Sequence, residues 1–298
     1  MGTSTIARDL ATLLELPGVG PSRARKLLPG RDGGDWLESE SLHSALKPNQ
    51  RDELPRARAR VDAAWLQMEA AGVRAISICD PEYPAPMRDL LGTAAPVVLY
   101  CLGALALLGA PSVGFCGSRK ASEKGMAAAA DAAGLLAAAG VNVVSGFASG
   151  IDMHAHLAAL AAGGTTTVAL AEGIGGFRVK QEIANQWDEK RTLVVSEFPP
   201  SAPWSVGRAM QRNRTICGLS RALILIEARA TGGSFAAGRE CLELGLPLFA
   251  AVYEGMPEAA SGNLQLLGEG ARGLMRSRRT GRSNIAPVLA AVRSAPAS

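Results

Sequence analysis

From about Ala75 onward the chain alternates short, wholly apolar runs with longer stretches of helical periodicity. The runs Val97–Cys101, Ser112–Cys116, Asn142–Ser145, Thr166–Leu170, Leu193–Ser196, Ala222–Glu227 and Leu248–Val252 read as buried strands. Between them, Glu123–Ala139, Ile151–Ala161, Arg178–Gln186, Val206–Gly218 and Ser234–Leu244 read as helices. Apolar strands alternating with helices predict an α/β fold whose mostly parallel sheet is covered on both faces. Ligands of such sheets sit at the carboxyl ends of the strands, where loops lead into helices.

The pattern before Gly72 is different: helical and charged, punctuated by Pro17, Pro48 and Pro55. Within it, the segment from Leu16 to Leu28, Leu-Pro-Gly-Val-Gly-Pro-Ser-Arg-Ala-Arg-Lys-Leu-Leu, has the form of a helix-hairpin-helix. Its glycines permit a tight turn whose following helix could hold a nucleic-acid phosphate, with Arg23, Arg25 and Lys26 nearby. The same motif also serves as a plain helix connector. The expected organisation is a small helical domain over residues 1–74, an α/β domain over 75–278 and a flexible basic tail over 279–298.

Composition narrows this picture only in places. Of 298 residues, 48% are hydrophobic but 4% are aromatic, so Ala, Leu and Val must fill the core. A net charge of +4 permits a nucleic-acid partner without demanding one. The five dispersed cysteines contain no C-x-x-C pair and read as reduced thiols of a cytoplasmic protein. Three histidines are too few for a rich metal site, and neither a metal nor a cofactor is expected. Met1-Gly2-Thr3-Ser4 lacks the order of a signal peptide, and Asp131, Gly134 and Gly140 break the Ala-rich stretches short of the ~18 residues of a membrane span. No membrane insertion is expected.

Candidate chemistry concentrates around Gln211–Ser220. No acid occurs between Glu197 and Glu227, while Arg208, Arg212, Arg214 and Arg221 fall in that interval beside a strand. Arginines so placed suggest an anion site, with phosphate the anion best matched to the planar guanidinium; a merely solubilising basic patch is the alternative. Three strand-to-helix loops accompany it. Gly114-Phe115-Cys116-Gly117-Ser118-Arg119 offers glycine and donors, with Ser122 placed to cap the next helix. It lacks both a full G-x-G-x-x-G and a G-K-[ST], which argues against a hydrolysable nucleotide. The loop from Ser145 to His156 contains Gly146 and Gly150, read as close approach of a ligand, and Ser149 with Asp152, read as a capping box. His154 and His156 lie two apart on a helix and point to different sides, so His156 is expected to pack or orient a loop. Thr231-Gly232-Gly233-Ser234 opens a further helix as a phosphate cradle.

Taken together, Gly117-Ser118-Arg119, Ser145-Gly146-x-Ala148-x-Gly150-Ile151-Asp152-x-x-Ala155-His156, Ser196-Glu197, Arg212-Asn213-Arg214-x-Ile216-x-Gly218-Leu219-Ser220, Gly233-Ser234 and Gly262-Asn263-Leu264 resemble the DprA/Smf family in identity, order and spacing. Tyr83-Pro84-x-Pro86-Met87 and Val98-Leu99-Tyr100 resemble that family's entry into its domain, and the similarity covers about residues 80 to 270. The resemblance implies a Rossmann-like, doubly wound domain that binds single-stranded DNA without cutting it, preceded by the helix-hairpin-helix (SAM-like) region. It further implies protection of incoming strands in natural transformation, loading of the recombinase RecA and a homodimer. By matching position, Gly117, Ser118, Arg119, Gly146, Gly150, Arg212, Asn213, Arg214, Gly233 and Ser234 become the DNA-binding candidates, with no catalytic residue.

Three departures stand out. Ser149 occupies a position that is usually arginine in the family, so one positive charge is missing beside the pocket. The family's tyrosine-proline segment is replaced by Glu172-Gly173-Ile174-Gly175-Gly176-Phe177-Arg178, where Phe177 or Arg178 could substitute as a stacking or phosphate contact. No winged-helix module is expected in the few residues after Gly270. Two other functions fit the same fold: a sensor of a nucleotide-derived ligand, and a phosphoribohydrolase-like enzyme. The second needs G-G-x-G-T-x-x-E, but Phe235, Ala236 and Arg239 stand at those positions and Glu240 is one residue out of place.

Overall fold

The computed structural model describes residues 5–28 and 36–294. Met1–Ser4 and the last four residues of the expected tail lie outside the described residues. In chain order the elements are α1 (Thr5–Leu14), α2 (Pro21–Leu27), α3 (Glu40–Ala45), α4 (Pro48–Ala70), β1 (Arg74–Ser77), α5 (Ala85–Leu91), β2 (Val98–Gly103) and β3 (Ser112–Gly117). They continue with α6 (Glu123–Ala138), β4 (Asn142–Ser145), α7 (Ile151–Ala161), β5 (Thr166–Ala169), α8 (Gln181–Ala184), β6 (Thr192–Ser196) and α9 (Val206–Gly218). The chain then forms β7 (Leu223–Ile226), α10 (Gly233–Glu243), β8 (Leu248–Ala251), α11 (Ser261–Gly268), β9 (Arg272–Leu274) and α12 (Ala286–Ser294).

Among the described residues the strands form one nine-stranded sheet in the order β1-β2-β6-β5-β4-β3-β7-β8-β9. From β6 to β9 every pairing is parallel, whereas β2 runs antiparallel to β6 and β1 antiparallel to β2. The Rossmann-like, doubly wound expectation therefore describes the sheet. From β3 the chain winds to one side through β4, β5 and β6, then returns to place β7 on the other flank of β3. Where winding reverses, adjacent connections leave to opposite faces and open a crevice at the carboxyl ends of β3 and β7.

Side-chain alternation along the strands assigns the two faces. On β7, Ala222, Ile224 and Ile226 join Val113, Phe115 and the helices α6, α7 and α12 in one buried cluster. Leu223 and Leu225 point the other way and join Ile216 of α9, Cys241 of α10 and Leu266 of α11. Small residues let α6 and α7 pack closely, with Ala129, Ala132, Ala133, Ala155 and Ala159 all buried. That is how a chain poor in aromatics still fills its interior.

The amino-terminal helices share the second cluster. Leu10, Leu13, Trp65 and Met68 are buried with Ile76, Leu99 and Tyr100, and Trp65 meets Tyr100 edge-on at 6.5 Å. Pro48 occupies the first turn of α4, but Pro55 lies inside that helix rather than ending it. The hairpin uses two of its three cations internally. Arg23 Nη2 donates to the Ala45 carbonyl at 2.9 Å, and Arg25 donates to the carbonyls of Gly92 at 2.6 Å and Ala95 at 3.0 Å.

Several elements escaped the apolar pattern. β1 and β9 begin with arginine and form no unbroken apolar run, α5 and α11 are only seven and eight residues long, and the helix expected over Arg178–Gln186 shrinks to Gln181–Ala184. Residues 279–298 do not behave as a flexible tail where they are described. Arg282 pairs with Asp131 of α6, and Ser283 N–H donates to Asp131 Oδ2 at 2.6 Å. The following helix α12 buries Val288, Ala291 and Val292 against the sheet. Alanine and valine at helical spacing provide that apolar face, which the neighbouring arginines mask in the sequence. Replacing Val288 by Asp should therefore lower the unfolding free energy by about 3 kcal/mol or more, the cost of an unpaired charge at a closed site. Urea denaturation checks this; a chain as stable as the parent would mean that α12 does not pack.

Candidate nucleic-acid interface

The crevice between β3 and β7 is a cleft of about 540 Å3. Its walls come from four segments, and seven of the ten candidate residues line it: Gly117, Ser118, Arg119, Arg212, Asn213, Gly233 and Ser234. Two of these stitch the walls together. Ser234 Oγ donates to the Gly117 carbonyl at 2.7 Å, and Asn213 Nδ2 donates to the Gly233 carbonyl at 3.2 Å. The start of α10, the end of β3 and the middle of α9 are thereby held as one rigid frame.

Arg212 is the unusual member. It is 8% exposed. Its hydrogen bond from Nη1 to the Ala169 carbonyl is long, at 3.4 Å. Its Nε is buried with no hydrogen-bond partner, and the Asp152 carboxylate stands across Gly146 from it, outside ion-pair contact. Beside it, α10 begins at Gly232 (φ 109°) with no side-chain cap, so its first backbone N–H groups are left without a capping acceptor. A buried guanidinium and an uncapped helix start thus share the lining of one cleft.

Gly146 and Gly150 lie behind this wall instead of lining it. A methyl group at Gly146 would overlap the Arg212 guanidinium and stand 2.6 Å from Asp152 Oδ2. Gly150 has φ +80°, and a Cβ there would stand 2.8 Å from the Arg119 carbonyl. Both glycines thus admit protein groups at close range: the first the arginine, the second the loop that carries Arg119.

The expected Ser149–Asp152 capping box is not formed. Gly150 is the N-cap of α7 and no side chain caps it. Asp152 instead accepts from Ala148 N–H at 3.3 Å and meets Ser145 Oγ at 2.9 Å, and it reaches the cleft. Ser149 is exposed. Ser122 caps α6 as expected, accepting from Gly125 N–H at 3.0 Å.

The arginines before β7 are dispersed. Only Arg212 enters the cleft. Arg208 Nη1 donates to the Pro203 carbonyl at 2.6 Å, and Arg221 donates to the Val292 carbonyl at 3.0 Å. Arg214 pairs with Glu240 and lines an adjoining groove with Ser22, Thr93, Glu197 and Thr215. Burial raises the Glu197 carboxyl above its usual range, although Thr215 Oγ1 and Gln211 Nε2 each donate to it at 2.6 Å. Phe177 packs at 5.5 Å on Phe147 and 5.7 Å from Trp187. Neither it nor Arg178 lines the cleft.

Sequence reasoning missed Trp204, Lys120, Arg229 and Glu227, all on the cleft. Glu227 is 4% exposed and adopts a left-handed backbone, φ 54°. Ser122 N–H donates to its Oε2 at 2.7 Å, while Ser122 Oγ and the Tyr253 hydroxyl donate to Oε1. Burial, and then this carboxylate, push the Tyr253 phenol well above its usual range. The carboxylate thus anchors the loop after β3 from below. An acid ending an apolar run was the available signal for it.

The fold and this site define a class of protein. Residues 74–280 match the profile of DNA recombination-mediator protein A, and the chain belongs to that family. It is 33% identical over 219 residues to DNA processing protein DprA of Streptococcus pneumoniae, covering 72% of this chain and 75% of that one. Against the DprA of Bacillus subtilis it is 27% identical over 241 residues, covering 79% and 78%. The X-ray structure of the pneumococcal protein superposes with a TM-score of 0.74 at 28% identity, covering 92% of this chain and 95% of that one. A Helicobacter pylori DNA processing protein A, described for its single-stranded DNA binding mode, gives 0.58 at 25% identity, covering 67% and 90%.

Among the described residues no cluster of His, Cys, Asp or Glu could hold a metal ion, and no helix is long and apolar enough to cross a membrane. His156 is fully buried and orients the loop, as expected. Its Nε2–H donates to the Gly146 carbonyl at 2.6 Å, and Nδ1 faces Thr166 Oγ1 at 2.6 Å. Burial is the largest influence and lowers its pKa, favouring the neutral ring. With the folded value below the unfolded 6.5, the unfolded chain binds more protons as pH falls past 6.5. Stability from this group is complete above pH 6.5 and declines below it. Urea denaturation between pH 7.5 and 5.5 should show that decline, and His156→Asn should flatten it; an identical slope in both proteins would contradict the placement.

Proposed function

We propose that the chain is a non-catalytic, single-stranded DNA-binding protein whose β3/β7 cleft receives the phosphate backbone. The observation that carries this reading is Arg212: a buried guanidinium with an unpartnered Nε beside the uncapped start of α10. Phosphate satisfies both, because it offers several acceptors and negative charge to a planar donor and a helix amino end. Arg119, Lys120 and Arg229 on the same cleft extend the cationic track. Family membership and the Helicobacter relative's single-stranded DNA binding support the choice of ligand. In this reading the protein acts in the cytoplasm as a homodimer, shields incoming single strands and helps load RecA during DNA uptake and recombination.

The placement of α10's charged residues supports a non-catalytic role. Glu240 faces the adjoining groove in its pair with Arg214. Arg239 stands 3.7 Å from Glu269. Neither residue lines the cleft, and the acids that do, Asp152 and Glu227, are engaged by Ser145 and Ala148 and by Ser122 and Tyr253.

Binding of a fluorescent oligothymidine across a salt series tests the proposal. The parent's log Kd should rise steeply with log salt. Arg119→Ala should weaken binding about tenfold and lower the slope by about one unit. Arg214→Ala should matter less, since Glu240 already neutralises it. Unchanged affinity and slope for Arg119→Ala would overturn the assignment, and a nearly flat salt response of the parent would favour a single-nucleotide sensor.

A further inference from the structure

The cleft has a second kind of wall that phosphate binding does not use. Beside its cations stand Trp204, Val206 and Met210, which are 47%, 68% and 37% exposed. They come from the segment that ends β6 and begins α9, where Ser205 caps the helix by accepting from Arg208 N–H at 3.1 Å. That cap places Trp204 two residues before the helix, on the lining of the cleft. Large apolar side chains left open beside charged groups mark a surface that a partner covers.

The ring already has an occupant of the right shape. The planar guanidinium of Arg119 lies over Trp204 at 5.6 Å from its centroid, and with Trp204 47% exposed a flat group that displaces it has the indole face to stack on. The partner is fixed by charge: a ligand whose anionic edge meets Arg212 and α10 while a flat, apolar face meets Trp204 is a nucleotide within a strand. Indole faces stack any base, because every base presents a π surface.

Resting on the proposed function above, we infer that Trp204, flanked by Val206 and Met210, is the base-stacking wall of the cleft, and that Arg119 covers the indole in the free protein. Base entry replaces the guanidinium on the ring, and Arg119 turns to the phosphate on the same side. Stacking on Trp204 adds affinity without base selectivity. It offsets the charge missing at Ser149, which is exposed and lies off the lining of the cleft.

Two oligonucleotides of equal length separate the base from the backbone: fluorescein-labelled oligothymidine, and its abasic counterpart carrying tetrahydrofuran in place of each nucleoside. Anisotropy titrations of the full chain should show tighter binding of oligothymidine. Trp204→Ala should lose about tenfold on oligothymidine and match the parent on the abasic strand, while Trp204→Phe should recover most of the loss. Trp204 is half exposed, so its truncation removes little packed area, and the thermal midpoint should stay within a few degrees. Equal losses on both strands would overturn the inference by showing that Trp204 acts only through Arg119, and so would an unaltered affinity for oligothymidine. A parent that binds neither strand would instead overturn the proposed function on which the inference rests.

Discussion

A buried guanidinium, Arg212, whose neighbouring carboxylate Asp152 stands across Gly146 rather than in a direct ion pair, organises this molecule. The Arg212 guanidinium sits beneath the β3/β7 crevice with one long bond to a carbonyl and an unpartnered Nε. Taking an ion out of water costs several kcal/mol, which one long hydrogen bond and a carboxylate short of ion-pair contact offset only in part. Its surroundings fit that demand. Gly146 leaves room for the guanidinium, Asp152 stands across that glycine, and His156 holds the Gly146 carbonyl in place. Burial keeps the His156 ring neutral, so no second positive charge is added behind the arginine.

The rest of the fold delivers other groups to the same place. Reversal of winding between β3 and β7 opens the crevice, and the parallel pairing that continues to β9 keeps strand ends in step. Cross-links then fix the frame: Ser234 to Gly117, and Asn213 to Gly233. Glu227 anchors the loop after β3 at the cost of a left-handed backbone, an expense of order 1–3 kcal/mol that is kept where surrounding contacts over-determine it. A left-handed backbone at Glu227 and an unpartnered Nε at Arg212 thus meet on one cleft, the pattern expected of a surface shaped for a ligand.

How much of this was legible in the sequence follows from the range of each signal. The seven expected strands and the helices α6, α7, α9 and α10 all occur, because apolar runs and helical periods are local. β1 and β9 each begin with arginine and so break the apolar run that marks the other strands, and α12 is masked by arginines whose partners, such as Asp131, lie far away in the chain. The glycine and arginine motifs converge on one crevice, yet the contacts of each residue needed three dimensions. Arg214 and Arg212 are two residues apart, and the helical turn sends one to Glu240 and the other into the cleft. Gly146 and Gly150 were read as touching a ligand, but they admit protein groups. Trp204 carried no pattern at all; only its exposure beside Arg119 distinguishes it.

The central claim is that Arg212 and the start of α10 await a phosphate, and a crystal structure with a short oligothymidine tests it most directly. The account predicts a phosphate whose oxygens lie within hydrogen-bond distance of the Arg212 guanidinium and the backbone N–H groups at Gly233 and Ser234. A strand bound across the α2 hairpin, or along the groove that holds Arg214, with the β3/β7 cleft empty, would contradict it.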